Sequence, residues 1–186
     1  MKEITGLLLI KQESERLRAK NWRIYKGKPM FQWNLEKCLL VFNKVYVSSD
    51  SENILNIAHE MGAIAIRRPP ELVEATNIAC YKHAMETMQS EAFVAVQANS
   101  PECGIRLIKY AKDLIQLGHE EVKSCHSNGT DYGSIWGMTY ERLKNYPDPM
   151  NAQPSFWIKD FSVDIHTIDD VYSSFDNYKK YKKSFK

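Results

Sequence analysis

The sequence predicts a single α/β domain, residues 1–186, built on a mainly parallel sheet. The first reason is that short apolar runs alternate with longer segments of helical period, which is typical of βαβ units. The second is that polar capping residues follow several of the apolar runs directly. The third is that 186 residues, of which 44% are hydrophobic and 26% charged, suit one globular domain with one substantial core.

The elements alternate along the first two thirds of the chain. The strand candidates are the short apolar runs at residues 4–10, 44–48, 63–67 and 92–97. The helix candidates have apolar residues at every third or fourth position and cover residues 30–42, 51–61, 77–89 and 102–117. A fifth strand is predicted near residues 121–125, because Gly118 is a typical helix stop just before it.

Two helix starts carry specific capping signals. Ser49 and Glu52 match a capping box, in which the two side chains satisfy free backbone amides of the first turn. Ser100 followed by Pro101 places a cap before a proline at the first helical position. Both starts follow strands directly, and in an open α/β sheet ligands bind beyond the carboxyl ends of the strands. We therefore expect the functional residues in these loops.

The last third of the chain is less regular. Residues 127–155 are rich in Gly, Asn, Asp and Pro, which predicts a long loop. Within it, the short apolar piece at residues 134–138 is predicted to form a hairpin or an edge strand. A terminal helix is predicted to begin near Thr167, with Thr167 as its cap and Asp170 in its first turn.

Charge and composition exclude several classes of partner. The formal net charge of +2 is too small for a surface that follows nucleic-acid phosphates. The early apolar run at residues 7–10 is too short for a signal peptide or a membrane span, so we expect a cytoplasmic protein without membrane association. The cysteines are widely spaced and are expected to be free thiols rather than zinc ligands or disulfides. They are Cys38, Cys80, Cys103 and Cys125.

The loop after the first strand is long and charged. Loops between a strand and a helix usually have about 2–6 residues, and longer ones tend to be functional. Its cations could surround a triphosphate; they are Lys11, Arg16, Arg18 and Lys20. The alternative is a solvated loop without a role, and spacing alone favours that alternative.

The same loop carries a family resemblance. Residues 11–21 read Lys-Gln-Glu-Ser-Glu-Arg-Leu-Arg-Ala-Lys-Asn. They resemble the opening Arg-Gly-Gly-Ser-Lys-Arg-Leu-Pro-Gly-Lys-Asn of the acylneuraminate cytidylyltransferases and the related ketodeoxyoctonate cytidylyltransferases. Further segments resemble this family in the same order: Gly-Lys-Pro at 27–29, Val-Ser-Ser-Asp at 47–50, Arg-Pro at 68–69, Gln-Ala-Asn-Ser-Pro at 97–101 and Asp-Ile-His-Thr-Ile-Asp-Asp at 164–170.

The resemblance implies a three-layer α/β/α nucleotide-diphospho-sugar transferase fold over the single domain. It also implies a nucleotidyltransferase reaction on CTP and a sugar acid, either sialic-acid-like or another ulosonic acid. In that reaction the anomeric hydroxyl of the sugar attacks the α-phosphate of CTP, pyrophosphate leaves and a CMP-sugar is formed. The resemblance leaves open whether the protein forms a homodimer.

Residue roles are implied by the matching positions. Lys11 and Lys20, helped by Arg16, would surround the triphosphate. Asp164 and His166 would hold Mg²⁺, with Mn²⁺ as the alternative ion. The remaining polar positions would recognise the nucleotide or the sugar; they are Ser14, Asn21, Ser48, Ser49, Arg68, Gln97 and Ser100.

Departures from the family pattern leave other hypotheses open. Glu13 and Glu15 bring the loop charge to zero, and a carboxylate about 5 Å from a phosphate would cost about 3 kcal/mol at an effective dielectric of about 20. His166 replaces a carboxylate, and Ala75 replaces an acidic residue in the loop after Arg68. The alternatives are a catalytically degenerate relative that binds a nucleotide or a partner, and a nucleotidyltransferase of the same fold with another base or sugar.

Overall fold

The computed structural model describes residues 3–126, 133–146 and 153–184. Its strands are β1 (Ile4–Ile10), β2 (Ile24–Tyr25), β3 (Lys28–Pro29), β4 (Val45–Ser49), β5 (Ile64–Arg67), β6 (Ala92–Val96), β7 (Glu121–His126), β8 (Ile135–Thr139) and β9 (Phe156–Asp160). Its α-helices are α1 (Met30–Val41), α2 (Glu52–Glu60), α3 (Asn77–Thr87), α4 (Ile105–Gln116), α5 (Tyr140–Lys144) and α6 (Ile168–Ser184).

One mainly parallel sheet organises the described part of the chain. Its strand order is β5-β4-β1-β6-β8-β7-β9. The pairs β1–β4, β1–β6, β4–β5 and β7–β9 are parallel, and β8 runs antiparallel to both β6 and β7. The predicted α/β fold with a mainly parallel sheet is thus confirmed.

Helices cover both faces of the sheet. Helices α1, α2 and α4 pack on one face, where Leu8 of β1 belongs to the core. Helices α3 and α5 pack on the other face, where the neighbouring Leu7 belongs to a second core. Successive strand residues point to opposite faces, so each central strand contributes to both cores. The result is the three-layer α/β/α arrangement that the resemblance implied.

Residues 134–138 were predicted to form a hairpin or an edge strand. The hairpin is confirmed, since β8 pairs antiparallel with the preceding strand β7, and the edge position is wrong. Strand β8 lies inside the sheet, between β6 and β7, and all five of its residues are buried. Gly137 has no side chain that would crowd Ile115 of α4 and Val94 of β6. A short, fully apolar strand is stabilised more by burial on both faces than at an edge. The edge position is taken by β9, which the sequence did not predict.

Two predicted helix caps were also wrong, and for one of them the helix start was wrong as well. Helix α4 begins at Ile105 rather than near Pro101. The carbonyl oxygen of Pro101 accepts a hydrogen bond from Lys37 Nζ at 2.6 Å, so a side chain from α1 replaces the amide that a helix would supply. Helix α2 begins after Ser51 without a side-chain cap, because Ser49 still belongs to β4 and its Oγ accepts from Ser51 N at 3.1 Å.

Two other local predictions, the stop at Gly118 and the cap at Thr167, are confirmed. Gly118 follows α4 with φ of +107°, a conformation that suits glycine at a helix end. Thr167 caps α6: its Oγ1 accepts from Asp170 N at 3.3 Å, and Asp170 Oδ2 accepts from Thr167 N at 2.7 Å. All four cysteines are free thiols, and burial raises the pKa of Cys103 to about 12. Across the described residues, no helix combines the length and apolarity needed to cross a membrane.

Candidate functional site

A cleft of about 660 Å³ opens where β1 and β6 end, next to the segment that precedes α6. Parallel strands bring their carboxyl ends to the same edge of a sheet, so loops far apart in sequence meet there. Eight of the twelve predicted site residues line the cleft: Lys11, Ser14, Arg16, Lys20, Asn21, Gln97, Asp164 and His166.

The first loop is folded back on itself over the end of β1. The side-chain amide of Asn21 is buried and donates to the Lys11 carbonyl at 2.7 Å. Leu17 is buried beside Ile165 in a third apolar cluster, on which α6 also packs. Ala19 stands where the resembling family has glycine and takes a left-handed conformation, φ 51°, just before the short helical turn that begins at Lys20. These contacts bring both ends of the loop to the cleft.

Lys20 is the most desolvated cation of the cleft. Burial lowers the pKa of its ammonium, Asp164 raises it, and the neighbouring Arg16 and Lys11 lower it again. Arg16 and Lys11 are thus both close enough to repel Lys20, which lies in a partly water-excluded place. An anionic ligand would relieve this repulsion, so the cleft is suited to phosphate groups.

Carboxylates line the same cleft. Glu13 and Glu15 come from the first loop, and Glu74 comes from the loop before α3. Glu74 Oε1 forms an ion pair with Lys11 Nζ. Ala75 aligns with the acidic residue of the resembling family, and Glu74, one residue earlier, places a carboxylate in the cleft. Comparing neighbouring residues as well as the aligned one would have found it, because a loop can shift by one residue.

Removing the loop carboxylates is expected to strengthen triphosphate binding. Both Glu13 and Glu15 are exposed, so water screens their repulsion below the value that a buried pair would have. We expect Glu13→Gln and Glu15→Gln each to lower the dissociation constant of a nucleoside triphosphate about threefold to tenfold. Calorimetric titration at two salt concentrations measures this. Glu60→Gln, at the exposed end of α2, is the control, and equal effects of all three variants would contradict the prediction.

Asp164 is held between two side chains. Its Oδ1 accepts from Asn99 Nδ2, and its Oδ2 lies 2.6 Å from His166 Nε2. The other ring nitrogen of His166 is buried without a hydrogen-bond partner. Asn99 was not predicted as a site residue, although it lies within one of the segments that carry the resemblance.

The donor set fits a divalent cation that prefers oxygen ligands. Among the residues that the structure describes, no three His, Cys, Asp or Glu side chains are grouped to hold a metal ion. Mg²⁺ usually binds through one or two carboxylates together with water and substrate phosphates, and Asp164 offers one carboxylate in the cleft. His166 contacts Asp164 directly, which places it as a partner of that carboxylate.

The other four predicted site residues do not line the cleft. Ser48 and Arg68 contact each other, since Arg68 Nη2 donates to the Ser48 carbonyl at 2.8 Å. Both are buried, as are Ser49 and Ser100. Arg18, which we considered for the triphosphate, also lies outside the cleft. In this conformation the contacts of Ser48, Ser49 and Arg68 support the loops around the cleft.

The chain matches the model of a protein family. The model of a family described as Cytidylyltransferase matches residues 6–128. The chain is 33% identical over 104 residues to the N-acylneuraminate cytidylyltransferase of Escherichia coli O18:K1:H7, covering 53% of this chain and 25% of that protein. It is 26% identical over 160 residues to N-acylneuraminate cytidylyltransferase A of Danio rerio, covering 83% and 36%. The chain thus spans a quarter to about a third of the length of these relatives.

Solved structures share the fold at low sequence identity. CMP:2-keto-3-deoxy-manno-octonic acid synthetase in complex with CTP has a TM-score of 0.78 at 14% identity, with 97% of this chain and 99% of that chain covered. The Rv0371c protein of Mycobacterium tuberculosis in complex with manganese has a TM-score of 0.70 at 12% identity, with 94% and 98% covered.

Proposed function

Because the chain belongs to the cytidylyltransferase family, whose model covers residues 6–128, we propose that it transfers a cytidylyl group from CTP to a sugar acid. The acceptor would be sialic-acid-like or another ulosonic acid, and pyrophosphate would be released. The observation that carries this proposal is the meeting of Lys11, Arg16 and Lys20 with Asp164 in one cleft. Relatives named for N-acylneuraminate and 3-deoxy-manno-octulosonate support the class of acceptor.

The cations would act on the phosphates. Transfer from the α-phosphate leaves a pyrophosphate group whose negative charge grows as the bond breaks. Lys20 and Lys11 would stabilise this charge, and partial burial of Lys20 strengthens the attraction because less water screens it. The ion pair between Lys11 and Glu74 must open or rearrange for Lys11 to contact the nucleotide.

Asp164 would hold the divalent cation, Mg²⁺ or Mn²⁺, that the family implies. Such an ion neutralises phosphate charge and makes the α-phosphorus more electrophilic. His166 would orient Asp164 through the contact at 2.6 Å, since partners of a metal-binding carboxylate fix its direction. Ser14, Asn21 and Gln97, which also line the cleft, would donate to or accept from the base, the ribose or the acceptor.

A second candidate is a relative that binds a nucleotide or a partner without turnover. The observation that favours it is the charge of the cleft. Glu13, Glu15 and Glu74 join Asp164 there, so the carboxylates outnumber the lysine and arginine side chains of its lining by one. A free triphosphate would then be attracted weakly unless a cation accompanied it.

Pyrophosphate release distinguishes the two candidates. The protein is incubated with CTP, ATP, GTP or UTP, with Mg²⁺ or Mn²⁺, and with a panel of sugar acids. We expect release from CTP that requires both a sugar acid and the metal. Release from a different nucleotide would assign another base. Binding of CTP without release in any combination would favour the relative without turnover.

Asp164→Ala is expected to lower the rate of pyrophosphate release about a hundredfold, because loss of one strong electrostatic group at a reacting phosphate costs about that much. The apparent affinity for Mn²⁺ should fall with it. Asp169→Ala is the matched control, since Asp169 is an exposed carboxylate at the start of α6 that does not line the cleft. Rates for Asp164→Ala within threefold of the wild type would remove Asp164 from the proposal.

A further inference from the structure

Asn99 joins the segment after β6 to the segment before α6. As a whole residue, Asn99 is 9% exposed. The two hydrogens of its Nδ2 donate to Asp164 Oδ1 and to the Ile165 carbonyl, the latter at 3.2 Å. The backbone carbonyl of Asn99 accepts a hydrogen bond from Ile165 N at 2.9 Å. Both hydrogens of the amide are thus used, and one of them is used on a side chain of the cleft.

The orientation of the Asp164 carboxylate is set mainly by side-chain contacts and not by the local backbone. Asp164 lies in a segment without regular secondary structure between β9 and α6, where a side chain would otherwise rotate. Asn99 contacts one oxygen and His166 the other, so the carboxylate plane is set from two sides. A carboxylate accepts about four hydrogen bonds or ligand contacts, so lone pairs of both oxygens stay available to a ligand in the cleft.

We infer that Asn99 is a positioning residue for Asp164, which fixes the direction in which this carboxylate meets a divalent cation accompanying the nucleotide. The inference rests on the proposed function in that it assigns the cation to Asp164. An amide suits this role because it donates a hydrogen bond without adding charge, whereas a lysine or arginine at the same place would compete with the cation electrostatically.

A structural role of Asn99 in its loop must be separated from the positioning role. Asn34 of α1 offers the comparison, because its Nδ2 donates to the carbonyls of Gln97 and Ser100, at 2.7 and 2.8 Å. Asn34 therefore supports the backbone of the loop after β6 through two hydrogen bonds and has no contact with Asp164. Asn99 uses one hydrogen bond on the Ile165 carbonyl and the other on Asp164. Asn34→Ala removes this backbone support and the acceptor of a hydrogen bond from Lys37 Nζ, but nothing that contacts Asp164. Asn99→Ala removes the hydrogen bond to the Ile165 carbonyl together with the one to Asp164.

The test measures Mn²⁺ binding by electron paramagnetic resonance, with CTP in which a methylene group replaces the oxygen between the α- and β-phosphorus. We expect Asn99→Ala to raise the Mn²⁺ dissociation constant about tenfold to a hundredfold, the usual effect of losing a residue that orients a ligand. Asn34→Ala should change it less than about threefold, the effect of a more distant perturbation. Added to Asp164→Ala, the Asn99→Ala change should have no further effect. Thermal unfolding checks that each variant is folded.

Two results would overturn the inference: equal weakening of Mn²⁺ binding by Asn99→Ala and Asn34→Ala, or a full further effect of Asn99→Ala on top of Asp164→Ala. Absence of Mn²⁺ binding by the wild-type protein with this CTP analogue would overturn it as well, because Asp164 would then hold no cation. The proposed function fails separately. If Mn²⁺ binding follows the expected pattern and no sugar acid supports pyrophosphate release from CTP, the positioning role stands and the transfer reaction does not.

Discussion

Replacing Lys20 with methionine is expected to lower kcat/KM for cytidylyl transfer about a thousandfold, in the range found when a cation at a transferring phosphate is lost. Methionine keeps the length of the side chain and removes the charge. The effect should be large because Lys20 is partly buried in the cleft and lies near Asp164. Lys20→Arg, which keeps the charge, should retain more activity than Lys20→Met.

The same substitution should stabilise the protein in the absence of a ligand. Burial lowers the pKa of Lys20 below its ordinary value of 10.5, so in the folded state the charged form is disfavoured. Between the folded and unfolded pKa values the unfolded chain binds more protons, and the free energy of unfolding therefore rises with pH in that window. The advantage of Lys20→Met over the wild type should be full below the folded pKa and shrink as the pH approaches 10.5.

Urea unfolding of both proteins at several pH values, together with pyrophosphate release, checks these expectations. Lys109→Met is the control, since Lys109 is exposed on α4 and lies outside the cleft. If Lys20→Met lost activity and its free energy of unfolding also fell below that of the wild type, Lys20 would support the loop and would not act on phosphate. An advantage that grew with pH would contradict the assigned direction of the pKa shift.

Glu121→Ala is expected to destabilise the fold by about 3–5 kcal/mol, as when one partner of a buried charge pair is removed. Glu121 is 1% exposed. Its Oε1 accepts from Trp136 Nε1 at 2.9 Å and from Tyr146 OH at 2.8 Å, and its Oε2 accepts from Arg142 Nε at 3.0 Å. The substitution would remove the shared acceptor of Trp136 Nε1 and Tyr146 OH, and the counter-charge of the half-buried Arg142.

Chemical denaturation with tryptophan fluorescence measures the effect directly, because Trp136 reports on the site. Glu121→Gln keeps acceptor capacity for some donors and should cost about 1–3 kcal/mol, the penalty for the unmade bonds. Glu120→Ala, at the exposed neighbouring position, should change stability by less than about 0.5 kcal/mol. A cost for Glu121→Ala as small as that of Glu120→Ala would show that water replaces the missing carboxylate.

The regular elements of the first two thirds could be predicted because their signals are local. Strand β1 was predicted with the bounds that the structure has, Ile4–Ile10, and α1 with its observed start and one residue too many at its end. Apolar residues that repeat with the period of a helix or a strand indicate which face will be buried, whatever the partner is. The capping of α6 by Thr167 was predictable for the same reason, since both partners lie within one turn.

Helix starts that depend on distant side chains could not be predicted. Near Pro101 the local signal favours a helix, but the carbonyls there accept hydrogen bonds from Asn34 and Lys37 of α1. The carbonyls of the loop are satisfied in this way without a helix. The position of β8 has a similar cause. An apolar strand can pair on both sides, as β8 does between β6 and β7, or on one side at an edge of the sheet. Which of these positions it takes depends on how all the strands of the sheet pair.

The candidate site also has features that could be predicted from the sequence and features that could not. The order of motifs placed Lys11, Gln97 and Asp164 at strand ends or just before a helix, and a parallel sheet brings such positions to one edge. Their meeting in one cleft was therefore foreseeable from the order of residues along the chain. The assignment of Ser48 and Ser49 to ligand contact was not supported by their placement, because both are buried beneath the loops.

Periodicity, caps and motif order are properties of neighbouring residues. They alone determined the α/β class, most helix and strand positions and the family resemblance. Which polar side chains are buried, and against what, depends on residues far apart in the chain. Asn99 and Asp164 are 65 positions apart, and Glu121 meets Tyr146 across 25. The energy of such contacts exists only once the fold has excluded water from them, and so it was the tertiary structure that assigned these residues their partners.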